Sequence, residues 1–149
     1  MEVWELAARE GIRDIVARYN ANGDTGRFPQ LLELFSPDAV MEIEATDGGW
    51  SSYHGLEEIA TIFRAAKDRW ALEADARGAA PYVRHCVFTH QVDLEDRTHA
   101  RGRSYFQVLM AHGLDHWGRY IDRYVEIGDR WTFASRRVHT DGRVAGSSS

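Results

Sequence analysis

Tyr82-Val83-Arg84-His85-Cys86-Val87-Phe88-Thr89-His90-Gln91-Val92 is rich in β-branched and aromatic residues and contains neither glycine nor proline. Such a run reads as a strand. Three more of the kind follow it: Ala100 to Ala111, Trp117 to Ile127 and Arg130 to His139. With the first, extended here from Tyr82 to Leu94, they are separated by turn signals at Glu95-Asp96, His112-Gly113 and Gly128-Asp129. Strands this close in sequence predict an antiparallel meander. Alternation along each strand assigns faces. Gly102, Ser104, Phe106, Val108 and Met110 share one face of the second strand, and Arg101, Arg103, Tyr105 and Gln107 share the other. On the third, His116, Gly118, Tyr120, Asp122 and Tyr124 share a face. His85 and His90 are five positions apart, so they point to opposite sides unless a bulge intervenes.

The half before the meander reads as helices. From Glu2 to about Asn20, the residues Trp4, Ala8, Ile12, Ile15, Val16 and Tyr19 recur at spacings of three and four, an apolar stripe. The run Asn20 to Gly26, with two glycines, is expected to stop that helix. Phe28, Leu31, Leu32 and Phe35 predict a short second helix with Pro29 in its first turn, ended by Ser36-Pro37-Asp38. Ala39 to Glu44 and Trp50 to Tyr53 flank a Gly48-Gly49 turn and read as a strand and its return. A third helix is expected from Leu56 to Trp70, with Glu57 and Glu58 favouring its N-terminal pole. Ala71 to Pro81 is expected to be a mobile connector. Together these segments predict an α+β layout, a curled sheet with three helices from the N-terminal half against it. The expected extent is one domain over residues 1–145, with a frayed tail over 146–149.

At 149 residues the chain suits one domain with a real core. A net charge of -5 disfavours nonspecific nucleic-acid binding, which needs a basic face. The pairs Arg101 with Arg103 and Arg136 with Arg137 are accordingly expected on a solvated strand face. Cys86 is the only cysteine, so no internal disulfide can form and a reducing compartment is the simplest expectation. No apolar run approaches the roughly 18 residues of a membrane span, and the N-terminus lacks signal-peptide order, so a cytoplasmic location is expected.

Several segments in their order and spacing resemble the SnoaL-like branch of the nuclear-transport-factor-2-like superfamily. They are residues 12–19, Asp24-x-Gly26-Arg27, residues 34–40, Tyr53-x-Gly55, Arg84-His85, residues 102–106, Gly118-Arg-Tyr-x-Asp122-x-Tyr124, Trp131-x-Phe133 and Arg136-x-Val138. The resemblance implies a cystatin-like α+β cone, a curved antiparallel sheet wrapped around helices, with a deep apolar pocket. That family holds scytalone dehydratase, hexachlorocyclohexane dehydrochlorinase, steroid isomerase-like enzymes, polyketide cyclases and the small subunits of ring-hydroxylating dioxygenases. Its dehydratase and dehydrochlorinase members are the most similar. They use an Asp just after the first helix and a His on the first meander strand, which implies Asp24 and His85 here. The dehydratases also place tyrosines at positions similar to Tyr19 and Tyr53. At Met110, Gly118 and Tyr120 the chain departs from the dehydratase pattern, which argues for a substrate other than scytalone.

The chemistry this implies is proton abstraction next to a carbonyl, or anti to a leaving group, by His85 with Asp24 fixing its tautomer. Tyr19, Tyr53 and Tyr120 are candidate hydrogen-bond donors, and Phe106, Val108 and Met110 candidate walls, for a small, largely apolar substrate. Such a reaction needs no metal and no nicotinamide, and no His-x-x-x-His or Cys-x-x-Cys spacing is present. Cys86 faces away from His85 by parity, which argues against a Cys–His nucleophile. His116, at a hairpin end beside Asp115, is expected to be solvated. The other readings are a dioxygenase small subunit and a ligand-binding module without chemistry. An apolar outer face including Cys86, Phe88, Tyr105 and Leu109 predicts a homodimer or homotrimer.

Overall fold

The computed structural model of the protein describes residues 1–78 and 81–147. Its elements run α1 (Val3–Asp24), α2 (Phe28–Leu32), β1 (Phe35–Glu44), β2 (Trp50–His54), α3 (Gly55–Arg77), β3 (Val83–Leu94), β4 (His99–Met110), β5 (Gly113–Ile127) and β6 (Arg130–Arg143). One six-stranded sheet has the order β2-β1-β6-β5-β4-β3. β3 to β6 form the expected antiparallel meander, but the sheet is mixed, because β1 pairs with β6 in parallel. The concave face wraps the apolar stripe of α1, where Ala8, Ile12, Ile15, Val16 and Tyr19 are buried against Phe106, Tyr124 and Phe133.

In the meander β5 starts at Gly113 rather than Trp117 and β6 runs to Arg143 rather than His139, and three boundaries in the helical half also differ from the sequence reading. α1 does not stop at Asn20 but continues a further turn to Asp24, and the chain turns at Gly26 with φ 72. That turn makes Asp24 a helical residue, one turn beyond Asn20 on the same face. α2 is only five residues long, and Phe35 already belongs to β1. The expected connector 71–81 is largely helix, since α3 runs to Arg77 and ends at Gly78 with φ 74. Ala71, Leu72, Glu73, Ala74 and Ala76 have high intrinsic helix propensity, which carries α3 on after its apolar stripe has ended. Residues 79 and 80 of that connector, and 148 and 149 of the expected tail, lie outside the described residues. Within the tail Ser147 is described, and its hydroxyl donates to Asp115 Oδ2 at 2.7 Å.

Bulges decide the facing of His90 and overturn the expectation that Arg136 is solvated. In β3 the pairing steps from Phe88 with Tyr105 to Gln91 with Arg103, and Thr89 carries the positive φ of 52. One extra residue therefore sits in β3 and resets the alternation. His90 turns to the same concave face as His85, where its ring meets Tyr124 Oη at 3.1 Å. In β6 the pairing steps from Ser135 with Arg123 to Phe133 with Tyr124. Arg136 thus faces inward beyond Phe133, while Arg137 stays exposed. Cys86, Phe88, Tyr105, Arg101 and Arg103 are exposed, as alternation predicts.

Gly118 is a packing requirement of this concave face. It lies across from Phe106, whose ring stacks on Tyr120 at 4.6 Å. A Cβ at 118 would stand 2.8 Å from that ring and overlap the carbonyl oxygen of His139. Gly118→Ala is expected to cost about 1–3 kcal/mol or more of folding stability, an overpacking penalty read as a lower urea midpoint. An unchanged midpoint would mean that β6 yields there freely.

Candidate functional site

A cavity of about 440 Å³ opens between the end of α1, α2, α3 and the concave sheet, a size suited to a small organic ligand. Phe28, Leu31, Phe63 and Trp70 wall it from the helices, and Met41, Val83, Phe106, Val108 and Met110 wall it from the sheet. Its charged lining comes from Asp24, Glu44, Arg69, Glu73 and Arg143.

The last turn of α1 brings Tyr19, Asn20, Gly23 and Asp24 to this space. An aspartate at a helix C-terminus stands at the negative pole, so its carboxylate requires donors. β3 supplies them from one residue. The backbone N–H of His85 donates to Asp24 Oδ2 at 2.8 Å, and Nδ1 of the His85 ring lies 2.6 Å from Oδ1. Two residues separated by 61 positions thus meet inside the cavity, and no hydrogen bond to His85 Nε2 is made among the described residues.

Tyr19, Tyr120, Phe106, Val108 and Met110 also line the cavity. Tyr53 does not. It stands opposite Met41 on β2, where α3 packs over the β1–β2 edge, and it is part-buried against the core there. Burial pushes the hydroxyls of Tyr19 and Tyr120 upward in pKa, against the pull of nearby Arg136, so both stay O–H groups. Tyr120 donates to Asn20 Oδ1 at 3.3 Å. Asn20 is only 6% exposed, and its Nδ2 has no partner. A buried, unpartnered amide donor in a ligand-sized cavity is suited to an acceptor oxygen brought by a ligand.

Asn20, His116 and the pair Asp122–Arg136 are what the sequence reading missed. His116 is not solvated. Its ring lines the cavity, and its Nδ1 lies 2.7 Å from Oδ2 of Asp115, a carboxylate with 0% side-chain exposure. Behind the cavity's aromatic floor Arg136 makes a two-pronged bond to Asp122, Nε to Oδ1 at 2.8 Å and Nη2 to Oδ2 at 2.9 Å. Tyr124 donates to the same carboxylate at 2.9 Å. The guanidinium lies over Tyr120 at 3.8 Å and Tyr19 at 4.3 Å. Burial alone would lower its pKa, but Asp122 overrides that and holds it above the ordinary arginine value. The available signal was Asp122 sharing a strand face with Tyr120, a candidate cavity residue, because a buried carboxylate requires a cation. Among the described residues no group of three or more His, Cys, Asp or Glu side chains is arranged to hold a metal ion, and no helix is long and apolar enough to cross a membrane.

Burial also holds His90 and His116 below the ordinary histidine pKa, against the opposite pull of Asp122 and Asp115 respectively. As pH falls, the unfolded chain takes up these protons first. The stability is complete above the unfolded pKa of about 6.5 and declines below it. Thermal midpoints are therefore expected to fall from about pH 7 to about pH 5, with a shallower slope in a His90→Gln/His116→Gln variant. The same slope in both proteins would contradict the assignment.

A family model described as a SnoaL-like domain matches residues 4–137. A comparison with curated sequences gives no match. Similar solved structures include hexachlorocyclohexane dehydrochlorinase LinA-type3 from Novosphingobium barchaimii, with TM-score 0.75 and 16% identity over 98% of this chain and 96% of that one. A protein described as a candidate scytalone dehydratase from Novosphingobium aromaticivorans gives 0.73 and 18%, over 97% and 91%. The beta subunit of a candidate aromatic-ring-hydroxylating dioxygenase from the same species gives 0.72 and 20%, over 95% and 94%. At these identities the likeness establishes the α+β cone, and the family match covers most of the sequence. The chain belongs to the SnoaL-like domain family.

Proposed function

We propose that the protein is a cofactor-free lyase or isomerase in which His85, braced by Asp24, takes a proton from carbon beside a carbonyl of a small, largely apolar substrate. The observation that carries this reading is the 2.6 Å contact between His85 Nδ1 and Asp24 Oδ1 within an apolar-walled cavity. The backbone N–H bonded to Oδ2 holds the carboxylate as an acceptor. The shared hydrogen then belongs on Nδ1, and Nε2 keeps its lone pair. The carboxylate also stabilises the imidazolium formed when Nε2 accepts the proton. Asn20 Nδ2, the unpartnered donor, would hold the carbonyl oxygen as it gains enolate charge. Apolar walls limit water at the base.

Cyclic β-bromo ketones test the base step alone, because bromide departs without help. The wild-type protein is expected to release the conjugated enone, read by ultraviolet absorbance, and His85→Ala and Asp24→Ala to lose that activity. Unchanged rates in both variants would end this reading.

A further inference from the structure

The sheet register sets a second histidine beside the first. His85 on β3 pairs with Val108 on β4, and Val108 pairs with His116 on β5. The three form one row across the concave face, and all line the cavity. The two imidazole rings lie 6.5 Å apart at 85° to each other, and His116 also meets the Phe106 ring at 6.2 Å. Each has its own carboxylate behind Nδ1, Asp24 for His85 and Asp115 for His116. Asp115 is further tied by His112 Nε2 at 3.0 Å and by the Ser147 hydroxyl at 2.7 Å. A carboxylate this buried and this well held is a built support, and Nε2 of His116 makes no hydrogen bond among the described residues.

We propose that His116, braced by Asp115, is the second proton-transfer residue of this cavity, and that it protonates a departing hydroxyl, so that the substrate class is a β-hydroxy carbonyl compound. This rests on the reading of His85 as the base. Halide leaves as the anion of a strong acid and needs no proton, whereas hydroxide leaves a carbon poorly unless it is protonated as it goes. A base alone serves the first case, and the row of two braced histidines serves the second. The buried hydroxyls of Tyr19 and Tyr120 are poor proton donors, since burial pushes both up.

In the step, His85 Nε2 takes the proton from the carbon next to the carbonyl. The C–H electron pair becomes the new C=C bond. The C–O bond breaks with its pair on oxygen, and the His116 imidazolium gives that oxygen its Nε2 proton, so water leaves. His85 ends protonated and His116 neutral. One proton passing between them through water in the emptied cavity restores the start. Two imidazolium rings this close repel each other, so charge on one ring disfavours charge on the other. Around His116, burial opposes its charge most strongly, Asp115 favours it, and His85 from β3 and Arg143 from β6 oppose it, a net downward pull that makes its imidazolium the stronger acid. Arg69 and Glu73 from α3 line the same cavity.

The test uses matched ketones, β-hydroxyindanone with β-bromoindanone and β-hydroxycyclohexanone with β-bromocyclohexanone. In His116→Gln, the ratio of kcat/KM for each hydroxy ketone to that for its bromo partner is expected to fall at least about 30-fold, because only hydroxide departure needs the acid. Equal losses on both leaving groups, or no loss on either, overturn the proposal. Wild-type turnover of the bromo ketones alone overturns it while leaving the base intact. Rates untouched by His85→Ala remove the base reading itself. Imidazole nitrogen NMR of the unliganded protein reads the pairing without substrate. The His116 titration is expected to move up in His85→Gln, and a titration independent of residue 85 counts against the coupling of the two rings.

Discussion

His85→Ala is expected to lower kcat/KM for β-substituted cyclic ketones by at least about 1000-fold, roughly 4 kcal/mol of transition-state stabilisation, with little change in urea midpoint. The small structural effect follows from the way Asp24 is held. The backbone N–H of residue 85 donates to Oδ2, and alanine keeps that bond. The carboxylate stays in place and only the ring is lost. Asp24→Asn should cost a comparable amount for a different reason. A side-chain amide that offers N–H to Nδ1 moves the ring hydrogen to Nε2 and removes the lone pair that accepts the proton. Because the two groups act as a unit, the double variant should be little worse than either single one. Losses that multiply would show the two residues acting independently.

Arg136→Met is expected to cost about 3–5 kcal/mol of folding stability, a large part of the roughly 5–15 kcal/mol typical of a domain. The reason is less the lost attraction than what remains. Asp122 has 0% side-chain exposure, and without the guanidinium its charge is buried with the Tyr124 hydroxyl as its one remaining side-chain hydrogen bond among the described residues. Arg136→Lys should recover only part of the loss, since an ammonium cannot reproduce the two-pronged bond or the stacking over Tyr19 and Tyr120. Arg136→Met combined with Asp122→Leu should recover most of it, because no isolated charge is left. Urea denaturation of the three variants checks this. A double variant no more stable than Arg136→Met would mean that the aromatic stacking, and not the charge pairing, carries the effect.

The hairpin succession, the helical stripe of α1 and the meeting of Asp24 with His85 were accessible from the sequence to different degrees. Alternation and turn residues are local signals, and they placed β3 to β6 and the inward face of Phe106, Val108 and Tyr120. The pairing of His85 with Asp24 came through family resemblance, because nothing local in Asn-Gly-Asp-Thr-Gly says that α1 runs on to Asp24. What stayed illegible turns on bulges and on tertiary neighbours. Arg136 and Arg137 are adjacent and alike in sequence, and only the irregular step between Phe133 and Ser135 sends the first inward. Asp115 read as a sign of exposure for His116, yet it is buried because two histidines and a serine supply its partners. Asn20 looked like a helix stop and is instead an inward residue of a longer helix.

The surplus residue in β3 bears on how cavities of this kind diverge. Removing Thr89 would leave His85, Val87, His90 and Val92 on their present side, since straight alternation would then suffice. It would also take out the local bend and added twist that the surplus residue contributes. Length changes of a single codon at such points therefore rescale the hollow while conserving the identity of every group facing it, a route to new substrate sizes that point substitutions in the walls do not offer.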